Sequence, residues 1–499
     1  MNRDEIIERV RSRQQPWDII VIGGGATGVG CALDAASRGY DALLVEQHDF
    51  GKGTSSRSTK LIHGGVRYLA QGDIAMVRES LKERAILLRN APHVVHRQEF
   101  IVPCYSLWQK IYYGAGLKIY DLLAGKSGIG RSQILSRSET LRRLSTIKTA
   151  NLSGSVLYHD AQFDDTRLLI DLVTTAHKQG AAVLNYARVS DLIKDEKGSV
   201  RGVNFQDVET GDEFDALAKV VINASGAFCD AVRRMSDGSA QPIVTLSQGI
   251  HVVVDRRFLP DGSALMIPQT SDGRVLFCIP WHDHTLIGTT DTPIDEAHLE
   301  AQALESEIDF ILSSVSEYLA DAPTRKDILS VFAGIRPLVK NDAAKNTASL
   351  ARGHMIEIDE SGLLTITGGK WTTYRRMAED AVDQAAKLAG LTVRSSQTST
   401  LVISGPTPPP SKGAELLHAD LPYTHSDLLR AVRVEVARTV EDVLARRTRA
   451  LFLNASASIQ MAPSVAETMA GELGKDNEWA ERQVTDFSIV AANYFTPSI

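Results

Sequence analysis

The chain has 499 residues, 43% of them hydrophobic and 23% charged, with a formal charge of −7 at pH 7. This globular composition, in a length that asks for two or three domains, excludes a largely disordered chain. The acidic balance argues against general nucleic-acid binding, because a phosphate backbone needs a basic face, and no nucleic acid is expected as a partner.

The opening MNRDEIIERVRSRQQPWD mixes acids with bases around no apolar core, unlike a secretory signal. Residues 19–22 then form an apolar run that suits a buried parallel strand, followed by Gly23, Gly25 and Gly28 in GxGxxG spacing. An alanine-rich helix, a second strand at 42–45 and Glu46 complete the unit. Gly23 permits the tight turn, Gly25 the approach of a pyrophosphate, and Gly28 the packing of helix on strand. Phosphates sit at the helix amino end, where free N–H groups and the dipole favour anions. Glu46 is placed to accept the ribose hydroxyls and argues against a 2'-phosphorylated cofactor; NAD and FAD both remain consistent with this much.

The stretch GKGTSSRSTKLIHGGVRYLAQG, residues 51–72, packs hydroxyls, cations and glycines together. Thr54, Ser55, Ser56 and Ser58 can donate hydrogen bonds to a pyrophosphate or flavin; a solvated, capped loop is the plainer reading. Residues 73–91 show helical apolar spacing, and HVVHRQEFIVPCYS is strand-like. LWQKIYYGAGLKIYDLLAGKS is an aromatic and leucine-rich helix edged by lysines, suited to a lipid surface, a core or a dimer contact. Asp164 and Asp165 read as capping acids for the helix that follows. A strand is expected at 182–185 and another at 220–222, running into NASGAFCD. Short β pieces alternate over 240–295, and helix returns at 296–320. After FAGIRPL and GGKWTTYR comes a long helix, then the proline-rich linker 404–413. Leu429, Val432, Val436, Val440 and Leu444 recur at helical spacing in the tail, where Arg446, Arg447 and Arg449 read as a solvated face or a partner-facing patch. Cys31, Cys104, Cys229 and Cys278 show no metal-like spacing, so buried thiols in a reducing compartment and no metal are expected. No apolar run reaches the roughly 18 to 20 residues of a bilayer span. A cytoplasmic location is expected, with attachment to the cytoplasmic face of an inner membrane left open.

GGGATGVG, EQHDFGKGTSSRSTKLIHGGVRYLAQGD, YHDAQFDDTRL, NASGAFCD, IPWHDHTLIGTTD, FAGIRPL and GGKWTTYR together resemble the FAD-dependent glycerol-3-phosphate dehydrogenases. These belong to the wider glycine and D-amino-acid oxidase group, and the resemblance runs over about residues 17–386. It implies a Rossmann-like FAD-binding domain assembled from 1–91, 165–238 and 330–395. An antiparallel-sheet substrate domain would come from 92–164 and 239–329, and a helical domain from 414–499.

The reaction implied is oxidation of sn-glycerol 3-phosphate to dihydroxyacetone phosphate, with hydride passing to FAD and electrons to a quinone; a homodimer is left open. Oxygen as acceptor, an amine or amino-acid substrate, an NAD enzyme and a redox-inert flavin scaffold are the alternatives. The resemblance puts Arg67, Tyr68 and Arg336 at the substrate, where an arginine fork can bind two phosphate oxygens. It puts Gly23, Gly25, Gly28, Glu46, Thr54, Ser55, Lys60, Gly226, Gly369, Lys370 and Thr372 at the cofactor. His251, His63 and Lys370 are the catalytic candidates, the histidines as bases that titrate near neutrality. The chain departs from the family at QGIH, where Gln248 and Ile250 replace a lysine and a serine, and at NASGAFCD. A positive charge is thereby expected to be missing near the active site.

Overall fold

Trp17–Ile22 is buried along nearly its whole length, as an apolar run without alternation requires of a central strand. The computed structural model describes residues 1–70, 72–340, 353–405 and 415–496, the side chains of Arg67 and Ala70 excepted. Most of the expected linker 404–413 therefore lies outside the described residues. Trp17–Ile22 runs parallel to Ala42–Val45 on one side and Glu213–Asn223 on the other. Ala182–Leu184 extends the sheet beyond the first, and Leu364–Gly368 with His354–Ile358 beyond the second. Helices Ala26–Ser37, Asp165–Lys178 and Tyr374–Leu388 share one apolar core on this sheet. A Cβ at Gly30 would lie 3.0 Å from the Tyr374 ring, so small residues set how closely the helices approach. Helix Arg3–Arg11 and the meander Ala187–Lys194 and Val200–Asp207 help cover the opposite face.

Among the described residues the second sheet has ten strands. Its spine is Val244–Asp255 paired antiparallel with Ile328–Val339 and with His284–Gly288. Two expectations change here. The sheet is mixed, since Ala264–Ile267 runs parallel to Val95–Cys104. The segment 330–395, expected whole in the flavin domain, is divided: its first residues extend the strand Ile328–Val339 and belong to this sheet, as does Leu61–Ile62 from the amino-terminal part. Both crossings have a geometric consequence, because each carries residues from one sheet to the border of the other.

The tail is helical but not continuous. His425–Arg433 ends near Val436, which adopts φ 50°, and a π-helical turn, Asp442–Arg447, follows. The Asp442 carboxylate accepts the N–H groups of Arg438 and Thr439, so local capping competes with helix propagation. Ala455–Leu473 and Asn477–Ala491 then pack as an antiparallel pair within the apolar core of the second sheet and tail.

Arg446, Arg447 and Arg449 are neither solvated nor partner-facing; all three are buried. Arg446 pairs with Asp49, Glu441 and Asp442, Arg447 with Asp49, and Arg449 with Asp165. A buried guanidinium without a carboxylate would be prohibitively costly to desolvate; Asp49 and Asp165 meet that requirement from distant segments, and Glu441 and Asp442 from the same turn as Arg446. The four cysteines are buried and free. Among the described residues, no helix is long and apolar enough to cross a membrane.

Candidate active site

The glycine loop follows the carboxyl end of Trp17–Ile22, and Ala224 and Gly226 follow the neighbouring strand Glu213–Asn223. Gly23 has φ 109°, and a Cβ there would sit 2.7 Å from the Ala224 carbonyl. At Gly28 a Cβ would sit 1.9 Å from the Gly23 carbonyl, so only glycine lets helix Ala26–Ser37 start against the strand. Gly25 would meet only the Ser55 hydroxyl, at 3.1 Å, which leaves backbone exposed toward the cleft. Ser55 Oγ accepts the Ala26 N–H at 2.9 Å, and its carbonyl accepts Trp371 Nε1. Thr54 Oγ1 donates to the Ile335 carbonyl at 2.6 Å. The hydroxyl loop thus bolts the helix amino end to both later segments that complete the site.

Glu46 accepts from Gly24 N at 2.6 Å and His48 N at 2.8 Å, one bond to each oxygen. Each oxygen keeps a second lone pair for a ribose hydroxyl. Burial pushes this carboxyl above its ordinary range. Gly23, Gly25 and Glu46 border one cleft; His63, His251, Arg336, Gly369, Lys370 and Thr372 border another. Gly25, Thr54, Ser55, Ala224 and Gly226 line both, so the two form one trough with a nucleotide end and a reactive end. A glycine-walled trough beginning at a helix amino terminus, with a carboxylate at one end, fits a flavin dinucleotide.

At the reactive end, Val244–Asp255 presents Gly249 and His251 on one face. His251 is buried, its Nε2 lies 2.9 Å from Thr59 Oγ1, and its ring stacks on Phe332 at 5.0 Å. Burial foremost, then the charges of Lys60 and Arg336, hold its proton affinity well below the usual histidine value, so the ring is neutral at pH 7. Arg336 lies across the neighbouring strand. Its Nη2 donates to Thr289 Oγ1 at 3.0 Å and the Thr290 carbonyl at 3.1 Å, and Asp291 lies 3.5 Å from Nη1. A Cβ on Gly249 would come within 2.1 Å of that guanidinium, so this glycine makes room for it.

Lys370 Nζ lies 2.9 Å from Ser80 Oγ and 4.4 Å from the Tyr68 ring centroid. Gly369 has φ 72°, and Thr372 Oγ1 donates to the His63 carbonyl at 3.4 Å. His63 and Arg336 also border a third cleft that reaches Tyr68 and Arg274. Arg67 lies on helix Val66–Ala70; its side chain is outside the described residues.

Three expectations are corrected by this geometry. Lys60 borders none of these clefts: its fully buried Nζ donates to Asp165 at 2.6 Å and to the Ser56 carbonyl. Asp165 is therefore an ion-pair partner, whereas Asp164 caps the helix through Arg167 N. Gln248 and Ile250 point away from His251, because successive strand residues alternate faces. Gln248 Nε2 donates to the Gln302 carbonyl and Glu307, so the missing lysine changes a contact behind the sheet. Arg57 is an addition: it borders the reactive cleft while bonding Glu300 and the Tyr494 hydroxyl. No local pattern could have announced a partner 437 residues away.

The chain matches the family described as FAD dependent oxidoreductase over residues 18–375, and the C-terminal domain of alpha-glycerophosphate oxidase over 366–480. It is 41% identical to the mitochondrial glycerol-3-phosphate dehydrogenase of Mus musculus, covering 93% of this chain and 71% of that protein. With the Homo sapiens mitochondrial protein it shares 41%, over 94% and 72%. The glycerol-3-phosphate dehydrogenase of Bacillus halodurans, solved with FAD, is 30% identical and superposes with a TM-score of 0.79, covering 100% of this chain and 98% of that one. From the glycine loop to the tail, then, the chain belongs to the FAD-dependent oxidoreductases, within their glycerol-3-phosphate dehydrogenase family.

Proposed function

We propose that the protein oxidises sn-glycerol 3-phosphate to dihydroxyacetone phosphate and delivers the electrons to a quinone at a membrane surface. The observation that carries this reading is a fixed guanidinium, Arg336, beside a buried neutral imidazole, His251, at the reactive end of the trough. Held by the glycine loop and Glu46, a bound flavin would supply the two-electron chemistry at the reactive end. Arg336 holds the phosphate and so fixes where C2 lies. His251, with Thr59 on Nε2, takes the proton released by the C2 hydroxyl; a charged ring could not. His63, which borders both the trough and the third cleft, is the second candidate base. Lys370, which borders the reactive end, would place a positive charge beside a flavin held there.

Anaerobic mixing of the FAD-loaded protein with sn-glycerol 3-phosphate tests this directly. Rapid bleaching of oxidised flavin is expected; flavin that stays oxidised in folded protein overturns the assignment. A second reading, with oxygen as acceptor, is favoured by the tail's match to the alpha-glycerophosphate oxidase domain. Stoichiometric peroxide without quinone reduction would establish it.

Helix Leu107–Ala124 supports the membrane surface. Leu107, Trp108, Ile111, Tyr112, Ile119 and Leu122 are all at least half exposed along it, whereas Leu117 and Tyr120 are buried. A lipid headgroup region accepts such a face without a spanning segment. A second copy of the chain is the alternative occupant.

A further inference from the structure

The geometry points to Thr59 as a catalytic residue: its hydroxyl takes the proton of the substrate's C2 hydroxyl while passing its own to His251 Nε2. This rests on the reading above, in which His251 is the base, and adds the group through which that base is reached.

His251 offers a ligand almost no surface of its own, being only 2% exposed. One face of its ring is covered by Phe332, with the planes 18° apart. At Cδ2 the neighbouring strand presses close, since a Cβ on Gly288 would come within 2.2 Å. Nδ1 is buried without a hydrogen-bond partner among the described residues. That leaves Nε2, whose partner is Thr59 Oγ1 at 2.9 Å. Thr59 is only half-buried, and it borders both the trough and the third cleft, as His63 and Arg336 do. A substrate whose phosphate lies on Arg336 therefore meets the Thr59 hydroxyl where the two clefts join, with His251 behind it.

The chain holds Thr59 from both sides. Ser58 bonds Asp165 through both its N–H and its hydroxyl, and Lys60 Nζ bonds the same carboxylate. With both neighbours anchored to one buried acid, Thr59 has little freedom to turn its hydroxyl away. Lys60 has φ 61°, a left-handed backbone that a residue other than glycine keeps only when its surroundings fix it.

A hydroxyl suits the role because it carries one donor and two acceptor lone pairs. Its proton points to the neutral imidazole while a lone pair accepts from the substrate. In the reaction the C2 O–H bond breaks and its proton goes to Thr59 Oγ1, as the Thr59 proton goes to Nε2. The electron pair of the C2–H bond leaves with its hydrogen for the flavin, and C2 becomes a carbonyl carbon. Burial, Lys60 and Arg336 all disfavour the imidazolium that results, so the ring gives the proton up again before the next turnover.

Two measurements test this. Anaerobic stopped-flow reduction of the FAD-loaded protein by sn-glycerol 3-phosphate is compared for wild type, Thr59→Val and Thr59→Ser. Valine keeps the shape without the hydroxyl and should slow the maximal reduction rate at least about 100-fold, while substrate Kd and flavin content change less than about threefold. Serine restores the hydroxyl and should return the rate to within about fivefold of wild type. Nitrogen-15 NMR of histidine-labelled protein, with His251 assigned by its loss in His251→Asn, reads the tautomer without turnover. The proton is expected on Nδ1, leaving Nε2 to accept from Thr59. A valine variant that reduces flavin at the wild-type rate, a serine variant as slow as valine, or a proton found on Nε2 overturns the proposal, and the last decides it even where Thr59→Val does not fold. Flavin left oxidised in wild type would overturn the substrate reading itself, a result told apart because wild type, and not only the valine variant, then fails.

Discussion

At the residue scale, the reactive end depends on side chains whose state is imposed by what surrounds them. Truncating Arg336 to alanine removes charge-assisted hydrogen bonds worth about 1.5–3 kcal/mol each. At about 1.4 kcal/mol per tenfold, kcat/KM should fall roughly 100-fold, mainly through KM. Steady-state kinetics that leave KM unchanged would place the phosphate elsewhere. Gly28→Ala should yield protein that no longer retains flavin through purification, read from its absorbance, because the new methyl would need to lie 1.9 Å from the Gly23 carbonyl. A pH effect follows from His48, which burial, followed by nearby Lys52, lowers to about 4. The unfolded chain takes up this proton near pH 6.5, before the folded one does. Stability from this source is therefore complete above about pH 6.5 and is lost as pH falls toward about 4. Thermal midpoints of a His48→Asn variant should fall less steeply across that window than those of wild type.

At the element scale, most helices and strands announce themselves by period, and the exceptions have local causes. The helix expected over 73–91 forms as Ile74–Asn90, capped by the Asp73 side chain, and the strand-like run after it forms as Val95–Cys104. The tail helix fails after Arg433, ahead of a turn in which Val436 takes φ 50° and Thr439 and Asp442 cap one another, a competition that apolar spacing does not register. Helix Leu107–Ala124 forms as its sequence suggests, yet periodicity could not say which aromatics face out. Tyr113 packs partly into the core, whereas Trp108 is 70% and Tyr112 58% exposed. Replacing Trp108 and Tyr112 by serine should accordingly reduce flotation with liposomes while leaving the thermal midpoint nearly unchanged. Equal flotation of variant and wild type would remove this helix from the membrane contact.

At the scale of the whole molecule, the tail is held to the flavin sheet by buried charge. Asp49 pairs with both Arg446 and Arg447 at zero exposure. Removing one partner of such a network strands the others, so Asp49→Asn should destabilise by about 3–5 kcal/mol. The thermal midpoint of the FAD-loaded protein should fall by several degrees, and an unchanged midpoint would show that Glu441, Asp442 and Glu435 suffice. The sequence by itself determined the dinucleotide unit, the hydroxyl loop, most elements and the family, because turn chemistry, strand alternation and helical period are set by residues within a few positions of one another. Only the tertiary structure decided that Lys60 leaves the cofactor, that Gln248 turns from the base, and that the tail arginines are buried. Whether a charge is solvated or sequestered depends on where its counter-charge arrives. Asp49 reaches Arg446 from 397 residues away, and no local pattern carries that information.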